Sequence, residues 1–202
     1  MSSVPKRVGI DVKFALMSGG DDVVARVTIS GHPGSGTSTL VSGLSQSLNW
    51  KKLNGGQVFR DMAEEQGLTL EEFSQKCKED DSVDQALDKL LVDTMISQNS
   101  PEIVESRLSG WWAYKNNLQC PRIWVEVSEQ VRAERVLNRE GGSMDEKLNL
   151  IRERMDSDAS RYMQFYGLDI NSHVPYTYVI DSDEKDAEEV LRDVLKHLEE
   201  YN

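Results

Sequence analysis

Apolar residues along the chain follow a strand-like period and a helix-like period in turn, and this alternation predicts the fold class. Residues 23–29 are rich in β-branched side chains, which is typical of a strand. Runs of the same kind lie at residues 102–105, 122–127 and 177–181. The first run is followed by apolar residues at helical spacing, namely Leu40, Val41, Leu44 and Leu48. Strands that alternate with helices predict an α/β fold, a parallel β-sheet flanked by helices.

Helical spacing also separates the later strands. One helix is marked by Val83, Ala86, Leu87, Leu90, Leu91 and Met95. Another carries Val131 and Val136 and can begin after Ser128 as its N-cap, and Asp183 can cap the last helix. The apolar stripe of that last helix consists of Val190, Leu191, Val194, Leu195 and Leu198. Because ligands of such sheets bind beyond the carboxyl ends of the strands, we expect the functional residues there.

The segment between the first strand and the first helix nearly matches a phosphate-binding loop. Gly31 and Gly36 have the spacing of the pattern G-x-x-x-x-G-K-[ST], and Ser38 occupies its last position. Thr37 stands where the pattern has a lysine, whose charge normally reaches the β- and γ-phosphates. Backbone N–H groups and a helix start bind anions without any side chain. The segment is therefore a working nucleotide loop, a decayed relic, or a glycine-rich turn without a ligand.

Two further segments place charged side chains near predicted helix or strand ends. Gly55 and Gly56 open a predicted helix, and Arg60 lies in its first turns, where the helix dipole favours anions. That position suits an arginine that holds a second phosphate group, and the alternative is a solvated surface arginine. Glu105 and Arg107 follow a predicted central strand. Glu105 can hold a magnesium-bound water and Arg107 a phosphate or a base, or the two can form a structural ion pair.

Arginines recur at helical spacing in two sets. The first set is Arg132, Arg135 and Arg139, and the second combines Arg154, Asp158 and Arg161. Gly141-Gly142-Ser143 lies between the sets as a candidate hinge. A mobile lid that brings positive charge to the site on closure suits phosphoryl transfer. The alternative is a pair of solvated helices with ion pairs to neighbouring acidic residues.

The composition narrows the class of partner. The formal net charge of -12 argues against nucleic acid, because a protein that binds the phosphate backbone needs a basic face. No segment approaches the roughly 20 apolar residues of a membrane helix, and no apolar signal segment is evident, so we expect no membrane partner and a cytoplasmic location.

Cys77 and Cys120 have no metal-binding spacing and are interpreted as reduced thiols. Residues 1–24 show little periodicity and are interpreted as an N-terminal extension to one domain, residues 25–202.

Together, five segments resemble the archaeal-type cytidylate (CMP) kinases, which belong to the P-loop nucleoside monophosphate kinases. In chain order they read GHPGSGTST, GGQVFRDMAEEQGLTLEEF, ESRLSGWW, IWVEVSEQVRAERV and RERMDSDASRYMQFYGLDIN. The resemblance covers about residues 27–198. It implies a monophosphate-binding insert at about residues 55–100, a lid at about residues 138–170, and transfer of a phosphoryl group from ATP to CMP or dCMP with Mg²⁺.

The resemblance also implies roles for individual residues. The ATP phosphates would be bound by Gly31, His32, Pro33, Gly34, Ser35, Gly36, Thr37, Ser38 and Thr39. Gly56, Arg60 and Arg107 would bind the acceptor nucleotide. Ser38 would contact Mg²⁺ directly and Glu105 through a water molecule. The catalytic positions would be Arg154, Arg161 and Thr37.

Three positions depart from the family pattern. Gln57 stands where an acidic residue is usual, Ser106 where glycine is common, and Thr177 where aspartate is usual. Threonine in place of the lysine is frequent in this subgroup, so Thr37 is interpreted as a subgroup trait. We expect a monomeric cytidylate kinase. The competing hypotheses are a kinase for another nucleoside monophosphate or small acceptor, and a nucleotide-binding protein without turnover.

Overall fold

Five parallel strands form one sheet in the computed structural model, which describes residues 25–79 and 81–201. The strands are β1 Val27–Gly31, β2 Lys52–Asn54, β3 Ile103–Glu105, β4 Arg122–Glu126 and β5 Tyr178–Asp181. Their spatial order is β2-β3-β1-β4-β5, so β1 and β3 lie in the interior of the sheet. The expected N-terminal extension, residues 1–24, lies outside the described residues, as does the start of the first predicted strand.

Eight helices accompany the strands within the described ranges. They are α1 Thr37–Leu48, α2 Gly55–Glu65, α3 Leu70–Glu79, α4 Asp81–Met95, α5 Ser109–Lys115, α6 Glu129–Glu140, α7 Met144–Tyr166 and α8 Ala187–Tyr201. The predicted α/β fold class is therefore confirmed. The proposed insert contains α2, α3 and α4, and the proposed lid contains α7 and the end of α6. None of the helices in the described part of the chain is long and apolar enough to cross a membrane.

Successive residues of each strand point to opposite faces of the sheet, and each face packs against its own hydrophobic cluster. Val27, Ile29 and Ile103 pack with the apolar sides of α1 and α8. Leu53 and Val104 face the other way and pack with residues of α2, α4, α5 and α7. Because both faces are covered, all five residues of β1 are buried, as expected for a central strand of a parallel sheet. The carboxyl end of this strand is where the glycine-rich loop begins.

The sequence missed one strand, β2. It has three residues, of which Leu53 is the buried one, so its alternation is too short to stand out from the loop around it. The strand matters because it pairs with β3 and places Asn54 beside Glu105.

One of the predicted helix caps is confirmed and the other is wrong. The Ser128 hydroxyl accepts a hydrogen bond from the Val131 N–H at the start of α6. Asp183 does not cap α8, because its carboxylate accepts the Ser128 N–H instead. The cap of α8 is Asp186, whose Oδ1 accepts the backbone N–H groups of Glu188 and Glu189.

Two cysteines, interpreted from the sequence as reduced thiols, lie within the described residues. Cys77 and Cys120 are both buried and free of a disulfide. Both belong to the hydrophobic cluster that packs against Leu53 and Val104.

We expect Leu44→Ala to lower the free energy of unfolding by about 2–5 kcal/mol, because it removes a fully buried side chain and leaves a cavity. Leu44 lies on α1 and is 0% exposed, whereas Leu150 on α7 is 40% exposed. Leu150→Ala is the matched control and should change the unfolding free energy by less than about 0.5 kcal/mol. Urea denaturation of both variants measures the difference, and equal losses would contradict the assignment of α1 to the core.

Candidate active site

The glycine-rich loop connects the carboxyl end of β1 to the start of α1, which is the context that a phosphate-binding loop requires. Gly34 and Gly36 both have φ +87°, a backbone conformation that other residues rarely adopt. A Cβ at Gly34 would also lie 3.0 Å from the backbone oxygen of Arg132. Both glycines are therefore required by the curvature of the loop.

Among the described residues, three arginines donate hydrogen bonds to alternate backbone carbonyl groups of the loop. Arg107 Nη1 contacts the oxygen of Gly31 (3.2 Å), Arg132 Nη1 that of Pro33 (3.3 Å) and Arg135 Nη1 that of Ser35 (3.1 Å). The partial negative charge of these carbonyl oxygens is therefore compensated by the guanidinium groups. The guanidinium groups also place positive charge against the loop, which favours a phosphate.

Neither of the interpretations considered for the first arginine set applies to Arg132 and Arg135. Arg132 is 6% exposed, and its Nε also donates to the oxygen of Val127. Arg135 Nη2 donates to the oxygen of Ser182 after β5. These two side chains thus support the loop from α6, rather than forming part of a mobile lid or a solvated helix face. Arg139, the third member, is exposed and pairs with Glu140.

The hydroxyl group of Thr37, in the position of the missing lysine, contacts a buried carboxylate. Thr37 Oγ1 donates to Glu105 Oε1 at 2.6 Å, and both residues are 7% exposed. Ser38 Oγ lies 3.4 Å from each carboxylate oxygen of Glu105. Arg107 forms its salt bridge with Asp158 rather than with Glu105, so the expected alternative of a Glu105–Arg107 ion pair is wrong.

Burial raises the pKa of Glu105, although hydrogen bonds and positive charge oppose this effect. The Thr37 hydroxyl is the strongest of the opposing influences on this pKa, followed by the charge of Arg107. Asn54 also donates a hydrogen bond to the carboxylate through Nδ2. Asn54 was not predicted as a site residue, because β2 was missed and with it the pairing of Asn54 and Glu105.

The oxygen atoms of Ser38 and Glu105 fit a magnesium ion that accompanies a nucleotide. Mg²⁺ in such sites takes one or two protein oxygens and completes its shell with water and phosphate oxygens. In the described part of the chain, no group of three or more His, Cys, Asp or Glu side chains could hold a metal ion by itself. The donor set thus fits the metal of a nucleotide complex and not an all-protein metal site.

Helix α7 brings two arginines towards Arg107. The carboxylate of Asp158 accepts from Arg107 Nε (3.2 Å) and from Arg161 Nη2 (3.1 Å). Arg161 also lies over the ring of Tyr162, 4.5 Å from its centroid. Arg154 is exposed, but enough protein surrounds its guanidinium group to lower its pKa, and the charge of Arg107 lowers it as well. The structure therefore groups Arg107, Arg154 and Arg161.

Arg60 lies apart from that group, on the first turns of α2. Its guanidinium group is held by Gln57, with Arg60 Nη2 2.9 Å from Gln57 Oε1. Gln57, in the slot where the family usually has an acidic residue, thus orients Arg60 through an amide oxygen. Gly56 lies beside the helix cap, where a Cβ would be 3.2 Å from Asn54 Oδ1. Arg60 still lies near enough to Glu105 for its charge to lower the carboxyl pKa.

A cavity of about 210 Å³ adjoins the loop on the side of β5. Its lining includes Gly36, Leu40 and Arg135, together with Ser182 and Lys185 from the segment after β5. This cavity was not predicted from the sequence. The signal available was the position of residues 182–185 just after a strand, at the carboxyl edge where ligands bind.

Two other residues have structural contacts. Burial lowers the pKa of His32 to about 4, so this histidine is neutral near pH 7. Its ring packs edge-on against Trp124 with 4.7 Å between ring centroids. Thr177 Oγ1 accepts the backbone N–H of Arg122 at 2.9 Å and so joins the starts of β4 and β5. This hydrogen bond is a structural role for threonine at the position where the family usually has aspartate.

Comparison with known proteins shows similarity over most of the chain. The model of a family described as an AAA domain matches residues 27–164. The cytidylate kinase of Natronomonas pharaonis is 40% identical over 157 residues, which are 77% of this chain and 80% of that protein. The cytidylate kinase of Archaeoglobus fulgidus is 35% identical over 174 residues, 86% of this chain and 94% of that protein.

The fold also resembles that of solved kinase structures. A shikimate kinase from Acinetobacter baumannii in complex with shikimate superposes with a TM-score of 0.59, covering 89% of this chain and 95% of that one. The sequence identity is 10%, so this likeness concerns the fold alone.

We expect the stability of Glu105→Gln, measured relative to the wild-type protein, to increase as the pH rises from 4 to 8. The folded state raises the carboxyl pKa above its ordinary value of 4.5, so the folded protein holds the proton more tightly than the unfolded chain does. The wild-type free energy of unfolding therefore falls as the pH rises from 4.5 through the folded pKa. The glutamine variant does not titrate, so its relative gain should be present at pH 8 and vanish below pH 4.5.

Denaturant unfolding of both proteins between pH 4 and pH 8 measures this difference. Glu72→Gln is a suitable control, because a hydrogen bond donated by the Thr69 backbone N–H lowers the pKa of that exposed carboxyl. It should not gain stability at pH 8. A stability difference between Glu105→Gln and the wild-type protein that stays constant, or becomes less favourable to the variant, from pH 4 to pH 8 would contradict the expected sign.

Proposed function

The chain belongs to the cytidylate kinase family, and we propose from this premise that it transfers the γ-phosphoryl group of ATP to CMP or dCMP. The observation that carries the proposal is the arrangement of a phosphate-binding loop, an oxygen-ligand pair and converging arginines at one edge of the sheet. The loop and the pair formed by Ser38 and Glu105 suit the donor nucleotide. Arg107, Arg154 and Arg161 suit the negative charge of two phosphate groups that approach each other.

In the proposed reaction the loop and the first turn of α1 bind the phosphates of ATP. Ser38 and the Glu105 carboxylate hold the accompanying magnesium ion, which, when bound, neutralises phosphate charge. The base and ribose of ATP occupy the cavity beside Arg135, which adjoins the loop. In this proposal the γ-phosphoryl group lies between the loop and α7.

Arg107 and Arg60 orient the phosphate of the acceptor nucleotide in this proposal. Arg107 is bonded to the loop oxygen of Gly31, so a phosphate on Arg107 lies next to the donor site. Arg60 reaches from α2, and Gly56 allows close packing at the start of that helix. Phosphoryl transfer needs in-line placement more than covalent assistance, so orientation of the acceptor is the main task of these residues.

Arg154 and Arg161 provide the positive charge that the loop lacks at position 37. One donor aimed at developing charge contributes about 3 kcal/mol to lowering a barrier, so two arginines can take over the role of one lysine. Thr37 itself contacts Glu105 and acts by holding this carboxylate. The lid motion, the monomeric state and the cytoplasmic location remain predictions from the sequence.

We expect the purified protein to form ADP most rapidly with CMP or dCMP among a panel of acceptors. The panel contains CMP, dCMP, UMP, AMP and shikimate, each with ATP and Mg²⁺ in a coupled assay of ADP release. A higher kcat/KM for AMP or UMP than for CMP would contradict the cytidylate assignment. ATP binding by calorimetry without turnover of any acceptor would contradict the assignment as a kinase.

We expect Arg154→Ala and Arg161→Ala each to lower kcat by about 10²–10³-fold, the loss typical of one donor to transition-state charge. Thr37→Ala removes one hydrogen bond to Glu105 and should lower kcat by about tenfold or less. Arg152→Ala is the matched control, since Arg152 lies on the same helix but pairs with Glu129 on α6. If Thr37→Ala abolished activity while Arg154→Ala and Arg161→Ala kept the wild-type kcat, the loop hydroxyl and not α7 would carry the reaction.

A further inference from the structure

Asn54 lies between Glu105, Ser38 and the first turn of α2. It is the last residue of β2, and the strand register places it directly beside Glu105 at the end of β3. Paired residues on neighbouring strands present their side chains on the same face of the sheet. The next residue, Gly55, begins α2, the helix that carries Arg60.

Both ends of the Asn54 amide are engaged, each with a different part of the protein. Oδ1 accepts the backbone N–H of Gln57 at 2.8 Å and so caps α2. Nδ2 donates to Glu105 Oε2 and lies 3.2 Å from Ser38 Oγ. The opposite orientation of the amide would set its carbonyl oxygen against the carboxylate and its NH₂ group against an N–H donor. The bonding partners therefore define which end is which.

This arrangement links the donor-nucleotide site to the acceptor helix through one planar group. Ser38 is the proposed direct ligand of the magnesium ion that accompanies ATP, and Glu105 is its proposed partner through a water molecule. Arg60 is a proposed contact of the acceptor phosphate. We propose that Asn54 is a positioning residue that couples the binding of Mg·ATP to the binding of CMP. This proposal rests on the proposed function of the site.

The coupling has a direct physical basis. A magnesium complex bound beside Ser38 and Glu105 would fix the direction of the carboxylate and hence the position of Asn54 Nδ2. Because the amide is rigid, fixing Nδ2 also fixes Oδ1, which orients the first turn of α2. The reverse holds by linkage, so each ligand should tighten the other by the same factor.

A substitution can distinguish an Asn54 side chain that only caps α2 from one that also couples the binding of the two ligands. Serine is as good an N-cap as asparagine, so Asn54→Ser retains the hydrogen bond to the Gln57 N–H. It lacks an NH₂ group that reaches Glu105, so the link to the carboxylate is lost. A purely structural role predicts no change in the dependence of one ligand on the other.

The experiment measures the Kd of CMP by calorimetry with and without a non-hydrolysable ATP analogue and Mg²⁺. In the wild-type protein we expect the analogue to tighten CMP binding by about tenfold, within the usual range for coupled sites. In Asn54→Ser the factor should fall to about one to two, while the Kd of CMP alone changes little. The matched control is Asn116→Ser, since the Asn116 amide also donates a hydrogen bond at a helix end, to the Trp112 oxygen, and this variant should keep the full factor.

The outcomes separate this inference from the proposed function. Failure of the wild-type protein to bind CMP in any condition would remove the proposed function, and the coupling with it. Binding of both ligands without coupling in the wild type, or with unchanged coupling in Asn54→Ser, would overturn the role of Asn54 alone. If a lower melting temperature makes the serine variant unusable, Asn54→Thr takes its place. Threonine is also favoured at the N-cap, has no NH₂ group for Glu105, and should also lose the coupling.

Discussion

The burial of the Glu105 carboxylate is the constraint on which the geometry of the site depends. A charged group removed from water is costly unless hydrogen-bond donors surround it, and burial does raise its pKa. Thr37 and Ser38 at the start of α1 and Asn54 at the end of β2 supply donors. Since β3 lies between β1 and β2, these donors can reach the carboxylate from both sides. The sheet order thus ties the loop and the acceptor helix to one acidic group.

The arginines divide into those that build the loop and those that remain available to a ligand. The chain as a whole has a net charge of -12, so the positive charge at the site is a local feature. Arg132 and Arg135 use their donors on loop carbonyl oxygens and on neighbouring backbone. Arg154 stays exposed on α7. Helix α6 therefore shapes the phosphate site, and in the proposed mechanism α7 supplies charge for the transfer.

Much of the fold could be predicted from the sequence, because long apolar runs and helical spacing are visible in one sequence alone. What escaped prediction depends on contacts between distant segments. The strand β2 is too short to show a period, and the choice of Asp186 over Asp183 as a cap depends on where Ser128 lies in space. Helical spacing placed Arg132 and Arg135 on a common face, but it carries no information about what packs against that face. The roles of Arg154 and Arg161 came from resemblance, and the structure adds their proximity to Arg107.

The contact between Thr37 and Glu105 gives a physical reason for a threonine in place of lysine. An ammonium group beside this carboxylate would form a buried ion pair and offset the negative charge of Glu105. A neutral hydroxyl satisfies one oxygen of the carboxylate at 2.6 Å and leaves its charge in place. That charge remains available to attract a magnesium ion held by water, whereas the positive charge for the transferring group comes from α7. In the proposed mechanism, the threonine at position 37 therefore leaves the negative charge of the buried Glu105 carboxylate uncompensated, whereas a lysine would offset it.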